Sequence, residues 1–277
     1  MNVRKYSGDL VPFNPDSLLY SLKNSGANEN ESQSIFKVVE REMFDGISTK
    51  KLYEIAFAEL KKLRHSFAAR YSLKNAIKAL GPEGYYFEKW MAKILQTQGY
   101  DAITSQTLQG SAVTHEIDVL ASRKSELLIC ECKFRNDLDA KISVTTPMYF
   151  LSRFNDLKEH TFDFFGKKLQ PTKGFLITNA FFTIDSIAFA EYYDIELISW
   201  NYPPKRNIKS LTDDFTMYPI TCLTTLTDEE ERLLLEKNCL LVKEIVRNPV
   251  LLDHFKFSEE KKIQVLEEAR DLCGDQE

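Results

Sequence analysis

No apolar run in this 277-residue chain approaches the roughly 18 residues that a membrane span needs. The N-terminus, Met1-Asn2-Val3-Arg4-Lys5, turns polar at once and has no apolar h-region, so no secretory signal is expected. Cysteines are few and odd in number: Cys130, Cys132, Cys222, Cys239 and Cys273. No two stand at C-x-x-C spacing, which argues against a zinc ribbon and against a disulfide framework. A reducing, cytoplasmic setting is the expected one. Internal repeats and low-complexity tracts are lacking as well. What is present is ordinary globular composition, 43% hydrophobic, 12% aromatic and 28% charged, which excludes a disordered or collagen-like chain. The length predicts about two domains.

The net charge of -5 is uneven. Residues 1–80 carry 13 Lys/Arg against 9 Asp/Glu, residues 81–206 carry 14 against 16, and residues 207–277 carry 9 against 16. An acidic chain argues against nonspecific, charge-driven nucleic-acid binding. A local basic cleft, or a metal that screens phosphate repulsion, stays compatible with it.

Punctuation by Gly and Pro divides the chain near 81 and 205. Residues 1–80 read as a hairpin, with Ser7-Gly8-Asp9 at its turn, followed by helices, the last running from Phe67 to Leu80. In residues 81–205 an amphipathic helix over 84–98 places Phe87, Trp90, Met91, Ile94 and Leu95 on one stripe. Strands are expected at 101–105, 115–121, 127–134, 174–178 and 195–200, with helices over 144–160 and 184–193. Strand-helix-strand-helix-strand order over 127–200 predicts parallel crossovers in an α/β sheet. Asn201 to Asp214 reads as a linker, and residues 206–277 read as a small helical domain.

Two strands carry the chemistry. In Leu128-Ile129-Cys130-Glu131-Cys132-Lys133-Phe134, alternation puts Leu128, Cys130, Cys132 and Phe134 on one face and Glu131 with Lys133 on the other. In His115-Glu116-Ile117-Asp118-Val119, Glu116 and Asp118 share a face. A hairpin between the strands would bring Asp118 beside Glu131, so that two carboxylates and an ammonium converge. Hard carboxylate oxygens suit Mg²⁺, and a lysine beside them suits the stabilisation of developing negative charge. An ordinary surface ion pair is the competing reading. Against it stands the placement of Glu131 and Lys133 inside an otherwise apolar strand, where a buried charge asks for a partner.

With Gly84-Tyr85-Tyr86-Phe87-Glu88, Glu116-Ile117-Asp118-Val119, Glu131-Cys132-Lys133 and the later Gly174-Phe175-Leu176-Ile177-Thr178-Asn179, residues 84–200 resemble the PD-(D/E)xK nuclease superfamily, nearest the Mrr-type restriction endonucleases. The resemblance implies an α/β restriction-endonuclease-like core with a mixed sheet, and a Mg-dependent DNA endonuclease of restriction or defence type. It further implies Asp118 and Glu131 as metal ligands, Lys133 as the catalytic lysine and Glu88 as an accessory acid. Double-stranded DNA is the implied substrate and a homodimer the expected assembly. Glu116 departs from the small residue usual at its position. Glu88 lies at the margin of its stripe, open to the site or to solvent alike. His115 reads as a strand-edge histidine with a satisfied hydrogen bond rather than a base. Arg153 can reach a phosphate or pair with Asp156. Cys132 faces the core.

Val3-Arg4-Lys5-Tyr6-Ser7-Gly8 and Val11-Pro12-Phe13-Asn14 resemble the ATP-cone, a nucleotide-sensing module. The resemblance implies ATP or dATP as a regulatory ligand near Val3, Arg4 and Lys5. Tyr6 and Ser17 stand where the family often supplies cations, so a degenerate cone kept for packing or dimerisation is the alternative. For the whole chain, the alternatives are a noncatalytic, nucleotide-responsive DNA-binding regulator on the nuclease fold, and a repair or junction-resolving nuclease. The C-terminal helices resemble a helix-hairpin-helix unit, but their acidic balance points to packing or protein contact.

Overall fold

The computed structural model describes residues 1–5, 7–255 and 257–274. Tyr6 thus lies outside the described residues. The chain groups into two compact units, residues 77–217 and, separately, residues 1–76 with the described part of 218–277.

The N-terminal segment opens on the expected hairpin, β1 (Asn2–Arg4) antiparallel to β2 (Leu10–Pro12). Helices α1 (Pro15–Asn24) and α2 (Glu29–Glu42) follow. The side chain of Asn14 caps α1, and Asn28 with Glu31 forms a capping box on α2. A two-residue strand, β3 (Ile47–Ser48), then pairs in parallel with β1, an addition that so short a segment does not announce. Ser48 caps α3 (Thr49–Leu63). The single helix expected to Leu80 is two, α4 (His65–Tyr71) and α5 (Leu73–Lys78), parted at Ser72.

In the second unit, α6 (Tyr85–Thr97) precedes β4 (Asp101–Gln109), β5 (Thr114–Arg123) and β6 (Glu126–Cys132). After these come β7 (Lys141–Ile142), α7 (Thr145–Leu157), the hairpin β8 (Phe162–Phe164) and β9 (Lys167–Leu169), β10 (Lys173–Ile177) and β11 (Phe181–Phe182). Helix α8 (Ile184–Tyr192) and β12 (Ile195–Ile198) complete the layer. The main sheet has the order β12-β10-β6-β5-β4. Strands β4, β5 and β6 are antiparallel, while β6, β10 and β12 are parallel. The parallel pairing of β6, β10 and β12 gives the crossovers that the strand order predicts, and the mixed sheet is the one the resemblance implies.

Strand β6 is central, and all its residues after Glu126 are buried. A strand covered on both faces reads as a continuous apolar run for that reason. Leu127 and Ile129 pack with Phe150 and Leu157 of α7 in one core. Phe134, beyond the strand, meets Phe87 of α6 with ring centroids 5.6 Å apart. Gly84, at φ +90°, starts α6 against this contact, where a Cβ would come 3.1 Å from the Phe134 Cβ. A side chain there would be strained in backbone and in space.

The stretch 201–214, expected as a linker, contains helix α9 (Ile208–Asp214), which buries Ile208 and Leu211 and is capped by Asn207. Helices α10 (Asp228–Glu236), α11 (Val242–Arg247) and α12 (Glu259–Cys273) form the C-terminal segment. That segment belongs to the same unit as the N-terminal one. Arg70 on α4 donates to the carbonyl of Leu272, and Lys61 on α3 donates to the carbonyl of Thr224 at 2.9 Å. Among the described residues, no helix is long and apolar enough to cross a membrane.

Candidate active site

The β5–β6 ladder pairs Val119 with Cys130 and goes no further toward the strand ends. At the next level the Asp118 carboxylate takes the place of a ladder acceptor, receiving the backbone N–H of Cys132 at 2.6 Å. Strand β4 is irregular at the same level: Thr104 pairs with Val119 and Gln106 with Ile117, and Ser105 between them has φ +55°. Ile103 and Leu108 on β4, and Leu120 and Ile117 on β5, nevertheless join one core. Their odd spacing shows that the inward alternation shifts by one residue in both strands at the level of Asp118.

Glu131 is almost fully buried, with 3% exposure. One carboxylate oxygen meets the Lys133 ammonium and the other the Arg153 guanidinium. Arg153 also donates to the backbone carbonyl of Glu116, so it spans β5 and β6 beyond the end of their ladder. A charge taken this far from water needs such partners. The alternative pairing of Arg153 with Asp156 is not what forms. Asp156 accepts from the amides of Ala112 and Val113 and bonds the Nε2 of His115 at 2.8 Å. His115 is therefore the satisfied strand-edge histidine that the sequence suggests, and it holds the β4–β5 turn.

Lys133 is braced from the neighbouring parallel strand. Its N–H donates to the carbonyl of Ile177 at 2.7 Å, and its carbonyl accepts from the Thr178 hydroxyl at 2.6 Å. The buried amide of Asn179 then bonds both backbone groups of Arg135, accepting from its N–H at 2.7 Å and donating to its carbonyl at 2.8 Å. The sequence pattern assigns Thr178 and Asn179 no role. Their signal is a polar pair at the end of an apolar strand.

Glu88 of α6 joins the same electrostatic neighbourhood. Burial first, and then the charges of Asp118, Glu116 and Glu131, push its carboxyl up to about 7. Burial and the Glu131 charge push Asp118 up to about 6, against the opposing pull of the Cys132 N–H. Burial pushes the Cys132 thiol well above its ordinary range, so it is no nucleophile at neutral pH. The structure thus gathers Glu88, Asp118, Glu131 and Lys133, and adds Arg153.

Among the described residues no group of three or more His, Cys, Asp or Glu is arranged to hold a metal ion. Mg²⁺ commonly takes only one or two carboxylates, with water and substrate oxygens completing its shell. The hard carboxylate oxygens of Asp118 and Glu131 fit such an ion. In the N-terminal unit Val3 is a core residue, while Arg4 and Lys5 are exposed on the hairpin.

Comparison with known proteins agrees with the sheet unit. Residues 81–201 match the restriction endonuclease family of the Mrr catalytic type, and residues 218–273 match the AF1548-like C-terminal family. An uncharacterized protein of Archaeoglobus fulgidus is 34% identical over 133 residues, which are 48% of this chain and 71% of that protein. The crystal structure of AF1548, a protein of unknown function, superposes with a TM-score of 0.56 at 28% identity, covering 69% of this chain and 98% of that one. This chain belongs to the AF1548-like family, and its residues 81–201 form a restriction-endonuclease-type domain.

Proposed function

We propose that this chain is a Mg-dependent DNA endonuclease of restriction or defence type. The observation that carries the reading is the convergence of Asp118, Glu131 and Lys133 at the end of the β5–β6 ladder, with Glu88 contributed by α6. Asp118 and Glu131 would hold Mg²⁺, which supplies phosphate polarisation and a more acidic water when bound. Hydrolysis adds the oxygen of water to phosphorus as the bond to one ester oxygen breaks. Lys133, fixed through both its backbone groups, places positive charge where the phosphate oxygens gain negative charge. Glu88, poised near neutral pH, suits the uptake of a proton from water. Arg153 keeps the Glu131 carboxylate in one orientation.

The N-terminal hairpin is proposed as an ATP-cone. Arg4 and Lys5 would meet the phosphates of ATP or dATP, with Val3 acting only through packing. The free, mostly buried cysteines suit a reducing cytoplasm. Incubation of supercoiled plasmid and of single-stranded and flapped oligonucleotides, with and without Mg²⁺ and ATP, tests the reading. Mg-dependent cleavage of any of them supports it, and intact DNA under all conditions leaves the noncatalytic DNA-binding regulator in its place.

A further inference from the structure

Two exposed tyrosines stand on the helices that supply the cluster. Tyr85 is 47% exposed and Tyr149 is 58% exposed. Each lies four residues before a cation on its own helix. The Lys89 ammonium sits 4.3 Å from the centroid of the Tyr85 ring, and the Arg153 guanidinium sits 5.7 Å from that of Tyr149. Both pairs are tied to the cluster. Tyr85 is one turn ahead of Glu88, and Arg153 is the residue that bonds Glu131. Helix α7 packs in the core beneath one face of the sheet, and α6 meets Phe134 on the other. The two tyrosines are thus carried by the two helices that approach the cluster from opposite faces of the sheet.

An exposed aromatic ring beside a cation is the pairing that single-stranded nucleic acid uses. The base stacks on the ring and the backbone phosphate meets the cation. Within an intact duplex each base face is already covered by its neighbours, so a ring has no face to stack on unless a base leaves the stack. We infer that the strand entering this site has unpaired bases, as in single-stranded or flapped DNA, and that Tyr85 and Tyr149 bind those bases. The inference replaces intact duplex as the expected substrate, and it rests on the nuclease reading for the role of the cluster.

The test is equilibrium binding by fluorescence anisotropy in EDTA, so that no cleavage is needed. The probes are labelled oligonucleotides of one sequence, as single strand, as flapped duplex and as blunt duplex. Single strand and flap are expected to bind at least about tenfold tighter than blunt duplex. Tyr149→Ala and Tyr85→Ala are each expected to lose about tenfold on the single strand and to leave duplex binding nearly unchanged. Tyr→Phe at either position keeps the ring and should keep the affinity. Thermal melts confirm that each variant is folded. Blunt duplex bound as tightly as the single strand, no binding of any probe, or an equal loss on both forms overturns the inference. The nuclease reading fails separately. Single-stranded and flapped oligonucleotides left intact with Mg²⁺ alongside a clear single-strand preference would refute cleavage and leave the tyrosine assignment standing.

Discussion

The Asp118 carboxylate accepts the backbone N–H of Cys132 at 2.6 Å, one step beyond the last paired residues of β5 and β6. A side chain here does what a backbone carbonyl does along the rest of the hairpin. The carboxylate is thereby pinned against β6, where it feels the negative charge of Glu131 and raises the carboxyl of Glu88. The site exists because the two strands part at this level while Arg153 holds them together from α7.

That relationship sets a pH dependence. The Asp118 carboxyl is pushed up to about 6 by burial and by Glu131, whereas an unfolded aspartate titrates near 3.9. Across this window the folded protein binds more protons than the unfolded chain, so stability falls as pH rises from about 4 to about 6. Above that, the full cost of the charge is present. Asp118→Asn keeps an acceptor for Cys132 and removes the charge. The metal-free variant is expected to gain roughly 1–3 kcal/mol over the parent at pH 8, with the gain shrinking toward pH 4. Equal melting temperatures at pH 8 would contradict this. Calorimetry on the same variant should show weakened Mg²⁺ binding.

Much of this was legible in the strand pattern. Alternation alone put Glu131 and Lys133 on one face and Phe134 on the other, and the Glu131–Lys133 and Phe134–Phe87 contacts follow it. The partner of Arg153 was not legible. Sequence spacing offers Asp156 one turn along, but α7 lies over β6, and the buried Glu131 needs the guanidinium more than a surface aspartate does. Asp156 is instead committed to the β4–β5 turn and His115. Helix α9 was hidden by Pro203-Pro204, although Asn207 ahead of Ile208 and Leu211 carries the cap and spacing of a helix. Strand β3 consists of two residues and has no pattern to show.

The terminal segments fold as one unit. Glu268 on α12 is buried and accepts from the amides of Thr224 and Thr225 at 2.7 and 2.9 Å, while Thr224 also accepts from Lys61 and bonds His65. A chain ending at residue 217 is expected to lose hydrogen-exchange protection throughout residues 1–76 and to keep it in 77–217. Unchanged protection of the N-terminal helices would contradict the folding of the two segments as one unit.

Nucleotide binding to the hairpin is expected to be weak and salt-sensitive. Arg4 and Lys5 are exposed, and exposed charge pairs are screened. In a thermal-shift experiment with millimolar ATP, a ligand at 100 times its dissociation constant would stabilise by about 2.7 kcal/mol. Lys5→Ala should reduce the shift. No shift at any ATP or dATP concentration would favour a degenerate cone kept for packing.

Lys133 faces the site, and its side chain is one-third exposed, so its removal should spare the core. Lys133→Ala leaves Arg153 as the partner of Glu131, so it is expected to fold with a lowered melting temperature and to lose cleavage by about 100-fold or more, the scale of removing one group that stabilises transition-state charge. Mg²⁺-dependent cleavage of a flapped oligonucleotide and of supercoiled plasmid, parent and Lys133→Ala side by side, is the most direct measurement. Cleavage by the parent that is absent from the folded variant is the expected result. Full activity in the variant, or none in the parent, would contradict catalysis at this cluster.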